Sequence, residues 1–135
     1  MKKILLAEDD PFIVEIYSRK IKEAGFDLEI AQTGEEALKI IKEEKFDLLL
    51  LDLVLPGVSG WEVLETLRKE REKSEWLRTL KILVFSNLGS RLEVEKALRM
   101  GAEKYLIKTH YTPAQVVEEI QHTLTSSGNI CYSKR

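Results

Sequence analysis

The chain is poor in cysteine and histidine, with one cysteine, Cys131, and two histidines among its 135 residues. A lone cysteine cannot form an internal disulfide, and no Cys/His cluster is available for a soft metal such as zinc. Because disulfides mark oxidising compartments, this composition favours the cytosol.

Long apolar runs and a strong excess of either charge are also absent. No run approaches the roughly 20 residues that a membrane helix needs, and the acidic residues after the first run do not fit a secretion signal. The formal net charge of −2 provides no basic field for nucleic acid or a membrane surface. We expect a cytoplasmic chain in which residues 1–125 form one domain and residues 126–135 form a C-terminal tail.

What the sequence does contain is five short apolar runs, each followed by an amphipathic segment. Continuous rather than alternating hydrophobicity is typical of strands that are buried on both faces, as in a parallel sheet. Repeated strand–helix units predict an α/β fold with helices on both faces of that sheet. The runs are Ile4–Ala7, Leu28–Ala31, Leu48–Leu53, Ile82–Phe85 and Tyr105–Ile107.

The amphipathic segments begin with helix start signals. Asp10 followed by Pro11 is typical of an N-cap and a first helical residue, and Ser59 is expected to cap a third helix. Capping boxes, in which a Ser or Thr is followed three residues later by Glu or Gln, begin at Thr33, Ser90 and Thr112. Their agreement with the apolar stripes strengthens the prediction.

The charged stretch from Arg68 to Arg78 is long for a connection between a helix and a strand. We interpret it as a solvated helix end. Trp76 within it either packs back onto the third helix or contacts a partner.

Polar side chains follow four of the five predicted strands: Glu8 and Asp9 follow the first, Asp52 the third, Ser86 the fourth and Lys108 the fifth. In open parallel sheets, ligands bind beyond the carboxyl ends of the strands, where the strand order reverses. Singly, each residue has an ordinary explanation as a turn or capping residue. Together they predict a site, provided that the first and third strands are neighbours.

Crowded carboxylates repel one another and resist simultaneous ionisation, which a divalent cation relieves. A ligand set made only of oxygen atoms favours Mg²⁺. With the cation present, one of the carboxylates can act as a nucleophile toward phosphorus, while the cation and Lys108 neutralise charge on the transferred group.

At this point the chain resembles the receiver domains of two-component response regulators, from about Lys3 to Leu124. The acidic motif at residues 7–11 and the segment at residues 50–60 around Asp52 resemble the family's metal-binding and phospho-acceptor motifs. The resemblance implies a doubly wound, flavodoxin-like (βα)5 fold with three layers and the strand order 2-1-3-4-5. It is also the source of that order.

The resemblance also implies a role for each site residue. Asp52 becomes the phospho-acceptor, with Ser86 and Lys108 as its catalytic partners. The metal ligands are Glu8, Asp9, Asp52 and the backbone carbonyl of Val54, and the switch residues are Ser86 and Tyr105. The implied partners are a sensor histidine kinase or a phosphotransfer protein, and a separate downstream protein. We expect a monomer or weak homodimer that catalyses only its own phosphorylation and slow dephosphorylation.

Two departures from the family pattern concern the loops around the site. Thr109 follows Lys108 where the family has a proline in a cis bond, so the loop is either strained cis or rearranged trans. Asn87 follows Ser86 where the family has a small residue. These departures keep open a degenerate receiver that serves only as a scaffold.

Two readings from other classes are less favoured. An aspartyl-phosphate phosphatase would have its nucleophile on the first strand and a cap domain. A flavin binder would need a Ser/Thr/Gly-rich phosphate loop where this chain has Glu8, Asp9 and Asp10, which would repel phosphate.

Overall fold

The computed structural model describes residues 1–125, which form a five-stranded sheet and six α-helices. The strands are β1 (Lys3–Ala7), β2 (Asp27–Ala31), β3 (Leu48–Leu51), β4 (Lys81–Ser86) and β5 (Lys104–Ile107). The helices are α1 (Pro11–Glu23), α2 (Gly34–Glu43), α3 (Gly60–Glu70), α4 (Glu75–Thr79), α5 (Arg91–Arg99) and α6 (Pro113–Thr125), and a 3₁₀ turn (Lys108–His110) follows β5. The predicted tail, which includes Cys131, lies outside the described residues.

All neighbouring strands pair in parallel, in the order β2-β1-β3-β4-β5. The predicted doubly wound fold and its strand order are therefore confirmed. The chain adds β2 on one side of β1 and then places β3, β4 and β5 on the other side. The direction in which strands are added therefore reverses between β1 and β3. This reversal opens a crevice at the carboxyl ends of those two strands.

The sheet separates two apolar cores, because successive side chains of a strand point to opposite faces. Leu49 and Leu51 of β3 face a core that is completed by α2, α3 and α5, whereas Leu48 and Leu50 face one completed by α1 and α6. All four leucines are fully buried. Burial on both faces explains why this run is continuously apolar.

Side-chain caps fix the starts of five of the six α-helices, as the sequence predicted, whereas α4 begins without one. Asp10 accepts a hydrogen bond from the Phe12 amide, and reciprocal capping boxes begin at Ser59, Ser90 and Thr112. The predicted box at Thr33 is only half formed. Thr33 accepts from the amide of Glu36 at 3.1 Å, but the Glu36 carboxylate accepts from the amide of Gln32 instead of Thr33.

Strand boundaries differ from the apolar runs by one or two residues. The third strand ends at Leu51 rather than Leu53, because the chain turns at Asp52, whose Oδ1 accepts from the Val54 amide at 3.1 Å. Four strands begin one residue before the apolar run, where the backbone pairs although the side chain is polar; their first residues are Lys3, Asp27, Lys81 and Lys104.

The interpretation of the charged stretch as a solvated helix end holds only for its first residues, where α3 ends at Glu70 with Arg68 and Lys69 exposed. The rest of the stretch contains the short helix α4, and the half-buried Arg71 guanidinium donates to the carbonyls of Leu77 at 3.1 Å and Leu80 at 2.7 Å. Burial lowers the pKa of Arg71. Trp76 packs against the core on the α3 side of the sheet. None of the helices in residues 1–125 has the length and apolar content to cross a membrane.

Candidate functional site

The predicted site residues meet in a cleft at the carboxyl edge of the sheet. Glu8 and Asp9 follow β1, Asp52 follows β3, Ser86 ends β4 and Lys108 follows β5. The cleft has a volume of about 580 Å³, and all five residues line it. Because β1 and β3 are neighbours, the carboxylates that stand far apart in the chain come together here.

Three of these residues form an acidic cluster. One carboxylate oxygen from each of Glu8, Asp9 and Asp52 lies within 4.8 Å of the other two. Glu8 is 1% exposed and Asp52 is 5% exposed, whereas Asp9 is open to solvent. The cluster therefore has two oxygen donors at the floor of the cleft and one at its rim.

Lys108 is the cation that faces this cluster. Its ammonium lies 2.7 Å from Glu8 Oε1 and donates a hydrogen bond to Asp52 Oδ2 at 3.0 Å. Burial lowers the pKa of Lys108, but the carboxylates of Glu8 and Asp52 outweigh burial and raise it. Burial raises the pKa of Glu8, and Lys108 opposes this only in part. One ammonium therefore does not compensate all three carboxylates.

The arrangement suits a divalent cation with oxygen ligands. Glu8 Oε2 accepts from the Asp10 amide at 3.0 Å, and the buried Oε1 contacts Lys108 at 2.7 Å. Because Lys108 also pairs with Asp52, negative charge remains in the cluster, and a metal ion would neutralise it. Carboxylate oxygens without nitrogen or sulfur ligands favour Mg²⁺.

Ser86 and Tyr105 are joined through the loop that follows β4. Ser86 is fully buried, and its Oγ accepts a hydrogen bond from the Leu88 amide at 3.2 Å. The Tyr105 hydroxyl donates to the carbonyl of the same Leu88. Burial raises the pKa of Tyr105, so the phenol remains a donor at neutral pH. The two predicted switch residues therefore contact one loop residue.

The two departures from the family pattern leave the site open. No cis peptide bond occurs in residues 1–125, so the bond between Lys108 and Thr109 is trans. The lysine still reaches both carboxylates from the first position of the 3₁₀ turn. Asn87 is exposed at the mouth of the cleft.

An aromatic pair supports Lys108, and the sequence did not predict it. The Lys108 ammonium lies 5.4 Å from the centre of the Phe85 ring, which in turn lies 5.0 Å from the Tyr17 ring. Such cation–π contacts contribute about 0.5–1 kcal/mol or more when they are shielded from water. Both aromatics fit apolar stripes, so their spacing in the sequence gives no signal of this second role.

Comparison with known proteins places this geometry in a family. Residues 4–121 match the family profile described as the response regulator receiver domain. The probable transcriptional regulatory protein SilR of Salmonella typhimurium is 32% identical over 127 residues, which cover 94% of this chain and 52% of SilR. The alkaline phosphatase synthesis transcriptional regulatory protein PhoP of Bacillus subtilis is 32% identical over 126 residues, which cover 93% of this chain and 50% of PhoP. The chain thus spans about half the length of these curated relatives.

Solved structures of receiver domains share the fold of this chain. A CheY-like response regulator receiver domain protein from Methanospirillum hungatei has a TM-score of 0.81 and 31% identity, covering 92% of this chain and 94% of that one. The N-terminal receiver domain of RstA from Klebsiella pneumoniae was solved in a BeF3-activated form. It has a TM-score of 0.79 and 29% identity, and the match covers 93% of this chain and 100% of that domain. With its fold, its acidic cleft and this profile, the chain belongs to the receiver domain family of two-component response regulators.

Proposed function

We propose that Asp52 accepts a phosphoryl group from the phosphohistidine of a sensor histidine kinase or phosphotransfer protein. The observation that carries this proposal is the Asp52 carboxylate itself, buried at the floor of an open cleft with Lys108 at 3.0 Å. A carboxylate oxygen attacks phosphorus, the P–N bond to imidazole breaks, and the imidazole leaves with the bonding electron pair. Lys108 stabilises negative charge on the transferred group.

The metal ligands in this proposal are the carboxylates of Glu8, Asp9 and Asp52 and the backbone carbonyl of Val54. When bound, Mg²⁺ supplies positive charge that neutralises the crowded oxygens and the incoming phosphoryl group. Val54 also donates its amide to Asp52 Oδ1 at 3.1 Å, which orients the acceptor carboxylate. The Val54 side chain is 58% exposed at the cleft. Because it carries no group to activate water, we expect slow loss of the phosphoryl group.

The output of the site is a change in the face formed by α5, β5 and α6. In our proposal the Ser86 hydroxyl leaves the Leu88 amide to donate to a phosphoryl oxygen, and Tyr105 follows inward. Phosphorylation changes the relative populations of two packings only if phosphate binds one of them better. In this proposal the domain catalyses only the phosphorylation and slow dephosphorylation of its own Asp52, and it does not turn over a separate substrate.

The proposed setting is the bacterial or archaeal type of two-component signalling, in the cytoplasm. Relatives of this chain are named as transcriptional regulatory proteins, and we propose that this domain, as a monomer or weak homodimer, controls a downstream protein in turn. The net charge of −2 gives no support to direct contact with nucleic acid.

The rival function is that of a receiver used only as a scaffold, which Thr109 and Asn87 had favoured. Fluoroberyllate mimics a phosphoryl group on a carboxylate, so a competent site should bind it when Mg²⁺ is present. In a Trp76→Phe variant the emission of Trp61 reports on α5, because Lys96 of that helix lies 4.5 Å from the Trp61 ring. We expect a saturable change that Asp52→Asn abolishes. A flat response would support the scaffold.

Neutralising the crowded carboxylates should stabilise the fold. Millimolar Mg²⁺, or Asp52→Asn without Mg²⁺, is expected to raise the melting temperature, because each removes like-charge repulsion in the cluster. Relief of ~1 kcal/mol corresponds to about 4 °C for a domain of this size. Differential scanning calorimetry measures the shift. Glu118→Gln, which removes an exposed carboxylate on α6, should leave the melting temperature unchanged.

A further inference from the structure

The N-terminus of α2 lies directly against the loop that joins β3 to α3. A Cβ added to Gly34 would lie 1.9 Å from the carbonyl oxygen of Val58. A Cβ added to Gly57, which has a φ of +71°, would lie 2.4 Å from Glu35 Oε1. Gly34 therefore permits a backbone approach that a Cβ would block, and Gly57 adopts a positive φ that glycine favours.

Glu35 makes the hydrogen bond that joins these two segments. Its Oε1 accepts from the Val58 amide at 3.2 Å, across 23 positions of the chain. Glu35 is in the first turn of α2, where the helix dipole favours an anion. Hydrogen bonds from its own amide and from that of Val58 lower the pKa of Glu35. The carboxylate is therefore ionised at neutral pH and is a strong acceptor.

The loop that Glu35 holds is the one that carries the phospho-acceptor. At the start of the loop, Asp52 Oδ1 accepts from the Val54 amide at 3.1 Å. At its end, the Gly60 amide donates to the carbonyl of Leu53 at 3.0 Å. These bonds fix the two ends of the loop against each other. Between them, the bond from Val58 to Glu35 ties the middle of the loop to a different element of the fold.

We propose that Glu35 is a positioning residue for the Mg²⁺ site. By holding Val58 against α2, it limits the motion of the loop and keeps the Val54 carbonyl at a fixed distance from the carboxylate of Asp52. This inference rests on the proposed metal-dependent function of the acidic cluster. Glu35 itself lies outside the cleft and touches neither the metal ligands nor the phosphoryl group.

Two substitutions separate the reach of Glu35 from its charge. Glu35→Asp keeps the charge but shortens the side chain by one methylene, so that the carboxylate no longer reaches Val58. Glu35→Gln loses the charge but keeps an oxygen at the same reach. The matched control is Glu36→Asp, the same truncation at the next residue, whose carboxylate accepts from the amide of Gln32 at 2.8 Å.

The test is a calorimetric titration of the full chain with magnesium chloride. Glu35→Asp is expected to raise the dissociation constant about fivefold, the fold-change equivalent of one lost hydrogen bond. Glu35→Gln, whose neutral oxygen is a weaker acceptor at the same reach, should raise the dissociation constant less than Glu35→Asp does. Glu36→Asp should match the wild type. Because Glu35 is exposed, all the variants should fold, with melting temperatures close to that of the wild type.

The other outcomes are distinct. If the wild type gives no binding heat, the proposed metal site fails. If the wild type binds and Glu35→Asp binds equally well, the metal site stands and the positioning role of Glu35 is overturned. Weaker binding in Glu35→Gln with normal binding in Glu35→Asp would overturn it too, because charge rather than the hydrogen bond would then set the affinity.

Discussion

Incubation with acetyl phosphate and Mg²⁺ is expected to add one phosphoryl group to the wild-type chain and none to Asp52→Ala. The proposed acceptor is the Asp52 carboxylate at the floor of the cleft, and Lys108 at 3.0 Å is proposed to neutralise charge on the phosphoryl group. Removal of a nucleophile takes away the covalent route itself, so labelling should fall by more than about 100-fold. Intact-protein mass spectrometry measures the difference directly.

The matched control for this experiment is Asp47→Asn. Asp47 directly precedes β3, at the opposite edge of the sheet from Asp52, and its Oδ2 accepts from the Lys3 amide at 2.8 Å. This variant should be labelled like the wild type, and hydroxylamine should release the label because an acyl phosphate is cleaved by that nucleophile. Phosphoryl groups that persist on Asp52→Ala would contradict the assignment of the acceptor.

Replacing Lys108 with methionine is the second change with a large expected effect. It leaves Glu8 and Asp52, 1% and 5% exposed, without their cation. Removal of one partner from a buried ion pair typically costs about 3–5 kcal/mol. We therefore expect the free energy of unfolding to fall by about 3 kcal/mol without Mg²⁺, and phosphorylation by acetyl phosphate to slow about 100-fold. Urea denaturation and the labelling rate measure the two effects.

The stability deficit of Lys108→Met should depend on pH. Burial already raises the pKa of Glu8, and loss of the ammonium would raise it further. Below the pKa of an ordinary glutamate, Glu8 is protonated in both the folded and unfolded states, so the deficit is small. It grows as the pH rises toward the raised pKa of Glu8, because the unfolded chain then releases a proton that the folded chain retains.

Lys104→Met provides the control for the loss of a lysine from the same part of the fold. Lys104 begins β5 and pairs with Glu119 at 2.7 Å, but both side chains are about one-third exposed. Ion pairs of this kind contribute at most about 1 kcal/mol. A deficit as large in Lys104→Met as in Lys108→Met would contradict the view that burial of the carboxylates causes the effect.

Much of the fold could be predicted because each level of the sequence indicates the same architecture. Residues 48–51 are apolar without alternation, and all four are buried, as strands at the centre of a parallel sheet require. Asp10, Ser90 and Thr112 cap helices where the sequence placed the caps. The strand order, unlike the strands and the caps, could not be predicted from local patterns. No pattern within a strand identifies its neighbours, so that order came from the family resemblance.

The features that could not be predicted depend on contacts between distant residues. Arg71 lies in a charged stretch that looks solvated, yet its guanidinium satisfies carbonyls that only the folded connection brings together. Glu36 bonds to the Gln32 amide rather than completing the box with Thr33, a choice between two neighbouring donors. In the site, strand ends predicted which residues meet. They did not predict that Phe85 supports Lys108, since every large apolar residue of a strand looks alike in sequence.

The double use of Leu88 has a further consequence. Its amide bonds to Ser86 and its carbonyl to Tyr105, and these two groups belong to rigid peptide planes that meet at a single Cα. Only two torsions lie between the planes. A change in either torsion alone reorients one group relative to the other, so we expect Ser86 and Tyr105 to change their bonds to Leu88 together.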